Sequence, residues 1–468
     1  MGDNDPVYQM LKDIVGEDFV SNRQEERYIY SRVPSGTRIG DFRYLVLPKT
    51  VGEVREVVKL AGTNHIPIVP MGGGLSLSDL TVPIKGGIVM DMKRMDRVLE
   101  VHEQSRWVLI EPGVTIGKLI AYLNKNYPRL RISVPDAPPS ATMCGNVLIS
   151  GSGHLSKYGF HSDMINGLEV VLYTGEVCKL GSGSISPYWF SRGPLPDLSG
   201  LFINWCGCTG IVTKLSIKLY PKHQFRELVI FKIEEPGSIP DAIQIITATG
   251  LMEDILIFAM KPERSHNPTT LLLLFITADS EKEMKLKKNL FENIFSDYRC
   301  NGRRILYKPN DLFPGKLIHD MMAEPKNGLE DTVDAKKGGG VGSIGAIFSL
   351  EKVPLAFKKG LEISEKYQFT GPLYTIRNIG LGHSMVMGIL YPFNRADEKS
   401  IDIMKKALEE AMEMVYEGSG VPWKVSIDKQ EKTMKKMDPG TCDLITRIKH
   451  AMDPQGIFNP GNWDKSTG

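Results

Sequence analysis

The chain has 468 residues, a length at which two or three domains with their own cores are expected. Apolar residues make up 42% and charged residues 24%, and 57 Lys plus Arg against 55 Asp plus Glu leave a formal charge of +2. This balance is typical of a globular protein. It excludes a small disulfide-stapled module and gives no electrostatic support for nucleic-acid binding.

Targeting signals are not recognisable in the sequence. Residues 1–6 carry acids where a secretory signal carries bases, and no apolar run approaches the roughly 20 residues that cross a bilayer. The cysteines are too sparse for a disulfide framework and form no CxxC pair. They are Cys144, Cys178, Cys206, Cys208, Cys300 and Cys442. We therefore expect reduced thiols, no transmembrane segment and a cytoplasmic location.

The N-terminal half opens with a predicted β-α-β unit. After a polar leader, strands at 44–48 and 66–70 flank an amphipathic helix at 51–63. Thr50 followed three residues later by Glu53 is a capping-box pattern, which defines the start of that helix. Further strands are predicted at 88–90, 107–110 and 211–219, with a helix at 113–122.

Beyond residue 221 helices alternate with strands in a second α+β pattern. Helices are predicted at 238–249, 280–295, 398–417 and 442–452, and strands at 271–276 and 373–379. The glycine-rich run 336–342 lacks a following helix, so we predict a flexible turn before a strand at 344–350. The chain then divides into residues 1–222, 223–395 and 396–468.

A glycine triplet directly follows the predicted strand 66–70. Only glycine brings backbone N–H groups into a concave phosphate-binding nest without steric cost, and Gly72, Gly73 and Gly74 meet that need. The spacings of the Rossmann and Walker motifs are absent, and the triplet alone also fits a plain turn. Two further glycine-rich stretches, 135–159 and 201–221, favour a cofactor-binding interpretation.

The order of these motifs resembles the p-cresol methylhydroxylase/vanillyl-alcohol oxidase flavoprotein superfamily, particularly its glycolate-oxidase and D-lactate-dehydrogenase branch. The resemblance covers residues 44–221 and returns at 453–461. It implies an α+β fold in which two α+β subdomains, together an FAD-binding PCMH-type domain, hold FAD beneath a separate α+β cap. Residues 1–222 would form the FAD domain with its leader, 223–395 the cap, and 396–468 a helical segment that returns to the FAD domain.

The resemblance implies FAD contacts at the matching positions. Beside the pyrophosphate it places Pro70, Gly72, Gly73, Gly74, Leu75 and Ser76. Along the flavin, ribityl and diphosphate it places Pro135, Asp136, Ala141, Thr142, Gly145 and Asn146. The remaining wall would be Ser150, Gly151, Gly153, Lys157, Tyr158, Gly159, Gly207, Gly210, Ile211 and Val212. Ile211 and Val212 fit a buried core strand equally well.

The sequence departs from the family pattern at several positions. Met71 stands where the family often has Arg, Cys144 replaces a glycine, and residues 204–209 replace the usual GSEGTL. Members that attach flavin through the first loop use a His, whereas Leu75 follows the glycines here, so no bond from that loop is expected. Cys206-x-Cys208 without further ligands is a weak metal signal, and we predict inert thiols.

The hydroxy-acid branch holds a divalent metal through His residues of two motifs. Of these His383 survives, Leu390 replaces the second His, and the later motif is reduced to Glu417. One imidazole and one carboxylate seldom hold a metal, so we expect none.

Four residues are candidates for catalysis. His383 is a candidate base because its ordinary pKa lies near neutrality, the alternative being a hydrogen-bonded core His. Arg377 suits a carboxylate clamp, the alternative being a surface ion pair. Tyr391 and Lys424 are further candidates, and a tyrosine here could instead be a covalent flavin tether.

The resemblance implies an FAD-dependent dehydrogenase or oxidase acting on CH–OH donors, with a 2-hydroxy acid such as glycolate or D-lactate as substrate. A short match to the phenolic-alcohol branch, Phe393-Asn394 and then Trp423-Lys424, keeps an aromatic alcohol as an alternative. A flavin electron-relay subunit of a larger iron–sulfur complex is another. Electrons would leave to an electron-transfer flavoprotein, an iron–sulfur subunit, a quinone or oxygen, and a homo- or hetero-oligomer is compatible with the sequence.

Overall fold

The computed structural model describes residues 5–31, 39–261, 269–296, 305–308, 322–324, 339–369 and 371–464. Within these residues the chain forms two small α+β units and a larger one built on an eight-stranded sheet. The predicted α+β class and the division into two subdomains and a cap are therefore confirmed. No helix of the described part is long and apolar enough to cross a membrane. Location in the cytoplasm stays a prediction.

The first unit is a four-stranded sheet covered by helices. Its strands are β1 (Val20–Ser21), β2 (Tyr44–Val46), β3 (Ile68–Met71) and β4 (Ile88–Asp91), in the order β1-β2-β4-β3. Both β2 and β3 run parallel to β4. Its helices are α1 (Pro6–Val15), α2 (Gln24–Tyr30) and α3 (Val51–Thr63). The leader is thus helical, which the sequence analysis did not predict.

Local sequence explains where two of these helices begin. The Asp5 carboxylate accepts the Val7 N–H at 3.1 Å and caps α1. At α3, Thr50 Oγ1 accepts the Glu53 N–H at 3.1 Å while Glu53 accepts the Lys49 N–H at 2.7 Å. The predicted cap at Thr50 is confirmed, with the returning bond made one residue earlier than in the usual capping box.

The second unit is an antiparallel sheet with a ribbon beside it. Its strands are β5 (Val98–His102), β6 (Trp107–Ile110), β7 (Leu130–Arg131), β8 (Ile165–Val171), β9 (Val177–Lys179), β10 (Ile211–Lys218) and β11 (Tyr220–Pro221). The sheet order is β5-β6-β10-β8-β9, and β7 pairs with β11. Helices α4 (Ile116–Asn126) and α5 (Met143–Leu148) cover it, so the predicted helix 113–122 begins at Ile116.

The third unit is the cap. Its strands are β12 (Phe225–Ile233), β13 (Met252–Lys261), β14 (Thr269–Ala278), β15 (Ile305–Lys308), β16 (Gly339–Phe348), β17 (Gly371–Ile379), β18 (Ser384–Asn394) and β19 (Val421–Trp423). They form one antiparallel sheet in the order β15-β12-β14-β13-β17-β18-β16-β19. Its helices are α6 (Ile239–Ala248), α7 (Glu281–Ser296), α8 (Val353–Lys366) and α9 (Glu398–Glu417).

Two predictions in this part differ from the structure. Residues 339–342 begin strand β16, paired along its whole length with β18, and are not a turn. Gly342 is required there because a Cβ would lie 2.4 Å from Met404 Sδ on α9. Residues 336–338 lie outside the described part. The cap sheet also extends past the expected boundary at residue 395, because β19 pairs with β16.

The C-terminal segment packs against the first unit. Helices α10 (Ile427–Lys436) and α11 (Pro439–Met452) lead to Phe458, which is fully buried and forms a parallel bridge with Ile68 at the start of β3. One face of the cap sheet packs on helices α6 to α9. Its other face is turned toward the first two units.

Candidate active site and cofactor cavity

A cavity of about 1130 Å³ lies between the first two units and the free face of the cap sheet. Its lower wall is formed by the loop after β3, by residues 136–152 around α5, and by the loop that precedes β10. Its upper wall is formed by strands β13, β16, β17, β18 and β19. The cavity is therefore assembled from residues far apart in the sequence.

Three loops converge on the lower wall at distances that only glycine allows. A Cβ on Gly72 would lie 2.3 Å from Thr142 Oγ1, and one on Gly73 would lie 3.2 Å from Ala141 Cα. Gly207, at φ +78°, would place a Cβ 2.6 Å from Pro70 Cγ. The three glycine-rich stretches therefore meet where these glycines leave room for Thr142, Ala141 and Pro70.

The loop after β3 keeps its backbone donors available. No acceptor within the described residues is recorded for the N–H groups of Gly73, Gly74, Leu75 and Ser76, although all four line the cavity. All four residues are half-buried, so a ligand in the cavity would cover these N–H groups and would have to supply their acceptors. A row of such donors beside a cavity fits a diphosphate, so the residues present suit the pyrophosphate of FAD.

Most predicted cofactor residues line this cavity. They are Pro70, Gly72, Gly73, Gly74, Leu75, Ser76, Asp136, Ala141, Thr142, Gly145, Asn146, Gly207, Gly210, Ile211 and Val212. The structure does not bring the others to its surface: Pro135, Ser150, Gly151, Gly153, Lys157, Tyr158 and Gly159.

Those outlying residues support the wall from behind. Gly153 leaves room for the Val134 carbonyl, which a Cβ would approach to 2.0 Å, and Gly151 leaves room for the Asn146 amide. The Ser150 carbonyl accepts the indole N–H of Trp423 at 2.9 Å, which joins this wall to the cap. Tyr158 is exposed and stacks on Tyr220.

A row of five residues crosses the upper wall from strand to strand. Cross-strand pairing places Trp423 opposite Gly345, Gly345 opposite Gly388, Gly388 opposite Thr375, and Thr375 opposite Phe258. All five line the cavity. Two adjacent glycines therefore form a strip without side chains of its own. The Trp423 ring lies over Gly345, where a Cβ would come 2.6 Å from its Cε3, and Thr375 Oγ1 lies over Gly388, where a Cβ would come within 2.9 Å. We call this strip the glycine floor; the sequence analysis did not identify it.

Arg377 lies on the same face of the cap and is held by two acids. It is 3% exposed, forms an ion pair with Asp136 across the cavity, and lies 3.3 Å from the Asp254 carboxylate through Nη2. Burial lowers the pKa of Arg377, but Asp136 and Asp254 outweigh it, so the guanidinium stays charged. The predicted surface ion pair is a buried one. The Nε–H of Arg377 has no acceptor recorded within the described residues.

The second acid reaches Arg377 because of a β-bulge. The pairing of β13 with β14 shifts between Met252 and Asp254, so Glu253 is an extra residue on β13. Met252 and Ile255 both pack in the core on the helix side, which turns Glu253 and Asp254 together toward the first two units. Asp254 also accepts a hydrogen bond from Ser156 Oγ at 2.6 Å.

Glu253 contributes to an ionic cluster beside the site. Its carboxylate accepts Arg131 Nη1 at 2.9 Å and Arg226 Nε at 2.7 Å, and Arg131 also pairs with Glu324. Burial raises the pKa of Glu253, but the two arginines outweigh it and hold the value below its usual range. His154 Nδ1 lies 3.1 Å from Glu324, which places this imidazole in the same cluster.

Lys424 enters the cavity from the end of β19. Its backbone has φ +54°, and its ammonium lies over the Trp423 ring, 4.0 Å from the centroid. Burial lowers its pKa to about 8, and the negative charge of Asp136 opposes that shift. No ion pair of Lys424 is recorded in the described part of the chain. This predicted candidate therefore has both the position and the basicity of a proton acceptor.

The structure does not bring the other two catalytic candidates to the cavity. His383 is exposed on the turn between β17 and β18, where its Nδ1 accepts the Leu381 N–H at 3.3 Å. Tyr391 is fully buried on the helix side of the cap sheet and stacks on Phe369, with ring centroids 4.5 Å apart. Burial raises the pKa of Tyr391.

A buried histidine lies behind the lower wall. His161 Nδ1 is 2.6 Å from Asn146 Oδ1, and its Nε2 is 2.8 Å from Ser133 Oγ. Burial lowers the pKa of His161 to about 3, so this ring is neutral and orients the cavity-lining Asn146 amide.

Possible metal ligands and thiols were also located. No group of three or more His, Cys, Asp or Glu that could hold a metal occurs among the described residues. Cys144 and Cys206 line the cavity, and burial raises the pKa of each thiol to about 12. Neither thiol is therefore ionised near neutral pH.

Comparison with protein-family models finds two adjacent matches. Residues 42–181 match the FAD binding domain, and residues 256–463 match the C-terminal domain of FAD linked oxidases. The first covers the lower wall of the cavity up to the loop before β10, and the second covers the whole upper wall.

Relatives and solved structures agree over nearly the full chain. The chain is 24% identical to the 4-cresol dehydrogenase [hydroxylating] flavoprotein subunit of Pseudomonas putida, over 98% of this chain and 95% of that protein. It is 22% identical to a probable mitochondrial D-lactate dehydrogenase of Danio rerio, over 97% and 91%. The crystal structure of p-cresol methylhydroxylase with substrate bound matches with a TM-score of 0.84 and 21% identity, over 98% of this chain and 96% of that one. The chain belongs to the FAD-linked oxidoreductases of the PCMH-type superfamily, and its cofactor is FAD.

Proposed function

We propose that this FAD-linked oxidoreductase oxidises a small aromatic alcohol, in the first place a phenolic one. The single observation that supports this most is the glycine floor. Gly345 and Gly388 add no side chain to this wall, so the Trp423 ring lies against Gly345, with Thr375 and Phe258 on the other side, and an aromatic side chain lines each end of a slot. A planar apolar ring fills such a slot by stacking and burial, whereas a two- or three-carbon hydroxy acid leaves most of it empty.

The charges in and beside the cavity agree with a neutral substrate. Arg377 carries one positive charge, and Asp136 and Asp254 carry two negative ones beside it. Lys424 supplies the second positive charge when protonated, and the four groups then sum to zero; with Lys424 neutral, as the base role requires, they carry one net negative charge. A substrate carboxylate would add a negative charge next to Asp136, which costs energy in a cavity with apolar walls.

FAD, when bound, supplies the hydride acceptor for the alcohol carbon. Lys424 takes the proton of the substrate hydroxyl, because its lowered pKa leaves part of the amine neutral near pH 7. Arg377 donates its remaining Nε–H to an oxygen of the bound ligand. The apolar side chains Leu256, Val386 and Leu390 exclude water from the slot.

We also propose that FAD is held without a covalent bond. The backbone donors of the loop after β3 bind the pyrophosphate, and the residues around Thr142 and Gly207 enclose it. Among the described residues that line the cavity there is no tyrosine and no histidine, and the cysteines there are protonated. A tether through Tyr391 would have to cross the cap sheet.

A 2-hydroxy acid is the second candidate, and Lys424 is the observation that favours it. A protonated Lys424 without an ion pair of its own could hold a substrate carboxylate. The relative named as a D-lactate dehydrogenase is similar over nearly the whole chain. The two candidates require opposite protonation states of the same lysine, which makes them separable by pH.

For the reduced cofactor we propose reoxidation by a separate acceptor, such as an electron-transfer flavoprotein or an iron–sulfur subunit. The described residues contain no cluster of cysteines that could bind iron and sulfur, so the electrons would have to leave the chain. Comparing turnover with a soluble redox dye and with oxygen tests this step. Turnover as fast with oxygen as with the dye would make a partner unnecessary.

The proposal is tested on purified protein. Visible spectra before and after acid precipitation give the FAD content and the form of attachment, and we expect all flavin in the supernatant. The holoprotein is then mixed anaerobically with 4-hydroxybenzyl alcohol, benzyl alcohol, D-lactate or glycolate. We expect loss of flavin absorption with the phenolic alcohol. Reduction by D-lactate or glycolate alone would reject the aromatic assignment in favour of the second candidate.

A further inference from the structure

We propose that Asn459 is a positioning residue that fastens the two cofactor loops to each other, so that the C-terminal segment controls how tightly FAD is held. This inference concerns FAD retention and stands independently of the substrate. Asn459 is 1% exposed and lies beyond the last helix of the chain. It does not line the cavity.

The carboxamide of Asn459 reaches both loops at once. Its Nδ2 donates to the Leu80 carbonyl at 2.9 Å and to the Cys206 carbonyl at 2.5 Å. Leu80 belongs to the loop after β3, Cys206 belongs to the loop before β10, and both residues line the cavity. One NH₂ group therefore joins two loops that are separated by more than a hundred residues.

The backbone of Asn459 is itself fixed to the site. Its N–H donates to the Ile68 carbonyl at 2.8 Å, at the start of the strand that leads into Gly72. Its carbonyl accepts the Asn462 Nδ2 group at 3.3 Å and the Cys208 thiol at 3.6 Å. The side chain is thus held in place from three directions before it reaches the loops.

The conformation of Asn459 suits asparagine. Its φ is +35°, a left-handed value at which Asn is among the tolerated residues and Gly carries no penalty. Changing Asn459 to Gly therefore removes both side-chain hydrogen bonds without adding backbone strain. Two loop carbonyls then lose their donor, and Leu80 is buried. The loops would be free to separate.

Asn462 offers a matched control in the same segment. It is fully buried, accepts Gln430 Nε2 at 3.0 Å and donates to the Asn459 carbonyl at 3.3 Å, but its side chain makes no recorded bond to either cofactor loop. Replacing it removes one contact to the Asn459 backbone and leaves both bonds from Asn459 to the loops. Asn462→Ala should therefore destabilise the segment without releasing the loops from each other. The comparison separates loss of packing from loss of the loop connection.

The experiment measures FAD retention in the holoprotein. Asn459→Gly, Asn459→Asp, Asn462→Ala and the unchanged protein are diluted, and the appearance of free-flavin fluorescence gives the FAD dissociation rate. Urea unfolding of each apoprotein gives its stability. We expect both Asn459 variants to release FAD at least about tenfold faster than Asn462→Ala at comparable stability. The aspartate cannot donate to either carbonyl and should be the worse of the two.

Either of two results would overturn the proposal. One is an Asn459→Gly protein that releases FAD at the rate of the unchanged protein. The other is an Asn462→Ala protein that loses FAD as fast as Asn459→Gly for the same loss of stability. Should Asn459→Asp fail to fold, the glycine variant alone decides, because it retains the backbone conformation. None of these readouts requires a substrate.

Discussion

Replacing Lys424 by Met gives the sharpest test of the proposed chemistry. The pKa of Lys424 is lowered from 10.5 to about 8, because the cavity removes the ammonium from water. At pH 7 about a tenth of the Lys424 amine is then neutral. The neutral fraction of a lysine with the ordinary pKa would be roughly 300-fold smaller. A base with this pKa should make kcat/KM rise about tenfold between pH 7 and pH 9 and level off above that range.

The assay is initial-rate reduction of a redox dye with 4-hydroxybenzyl alcohol across that pH range. Lys424→Met should lower kcat/KM by about 10² to 10⁴ and flatten the profile, because no group remains to accept the proton. Lys424→Arg is the matched control, since it keeps a cation but cannot lose its proton. A profile that falls with pH in the unchanged protein would refute the base role and favour a carboxylate-binding lysine. An unchanged profile in Lys424→Met would refute any role in this reaction.

Three further outcomes are expected. Gly388→Val should raise KM for an aromatic substrate at least tenfold without lowering the FAD content. Even a Cβ would lie 2.9 Å from Thr375 Oγ1, and a valine side chain would cover the glycine floor. The flavin spectrum and steady-state rates measure these two effects. Asp254→Asn should lower kcat more than it changes KM, because Arg377 would then be held by Asp136 alone. An equal loss of kcat in a control variant remote from the site would contradict this. Glu253→Gln should cost about 3 kcal/mol of unfolding free energy near pH 7, because two buried arginines lose their shared anion, and urea unfolding measures it.

Parts of the site that depend on local geometry could be predicted from the sequence. The loop at Gly72, Gly73 and Gly74 follows a strand and needs residues without a side chain, and both conditions are visible in the sequence. Lys424 and Arg377 were also identified, and both line the cavity. These residues carry a signal within a few positions of themselves.

The rest depends on strand register, which the sequence does not display. Residues 386, 388 and 390 of β18 face the cavity, so Tyr391 faces the helices. The sequence of β18 alone does not show whether its even-numbered or its odd-numbered residues face the cavity. Arg377 and His383 are six residues apart, but β17 ends at Ile379 and the turn breaks the alternation. Asp254 was missed because its orientation comes from the bulge at Glu253.

The bulge in β13 also determines what the loss of one residue in that strand would do. Because Glu253 is the one extra residue, its loss would restore regular pairing with β14 at the expense of one acid. Losing one residue after the bulge would instead exchange the two faces of the strand. Phe258 would then point toward the helices, and its neighbours would point into the cavity. Length variation among natural homologues should therefore avoid residues 254–258 while substitutions there are still accepted.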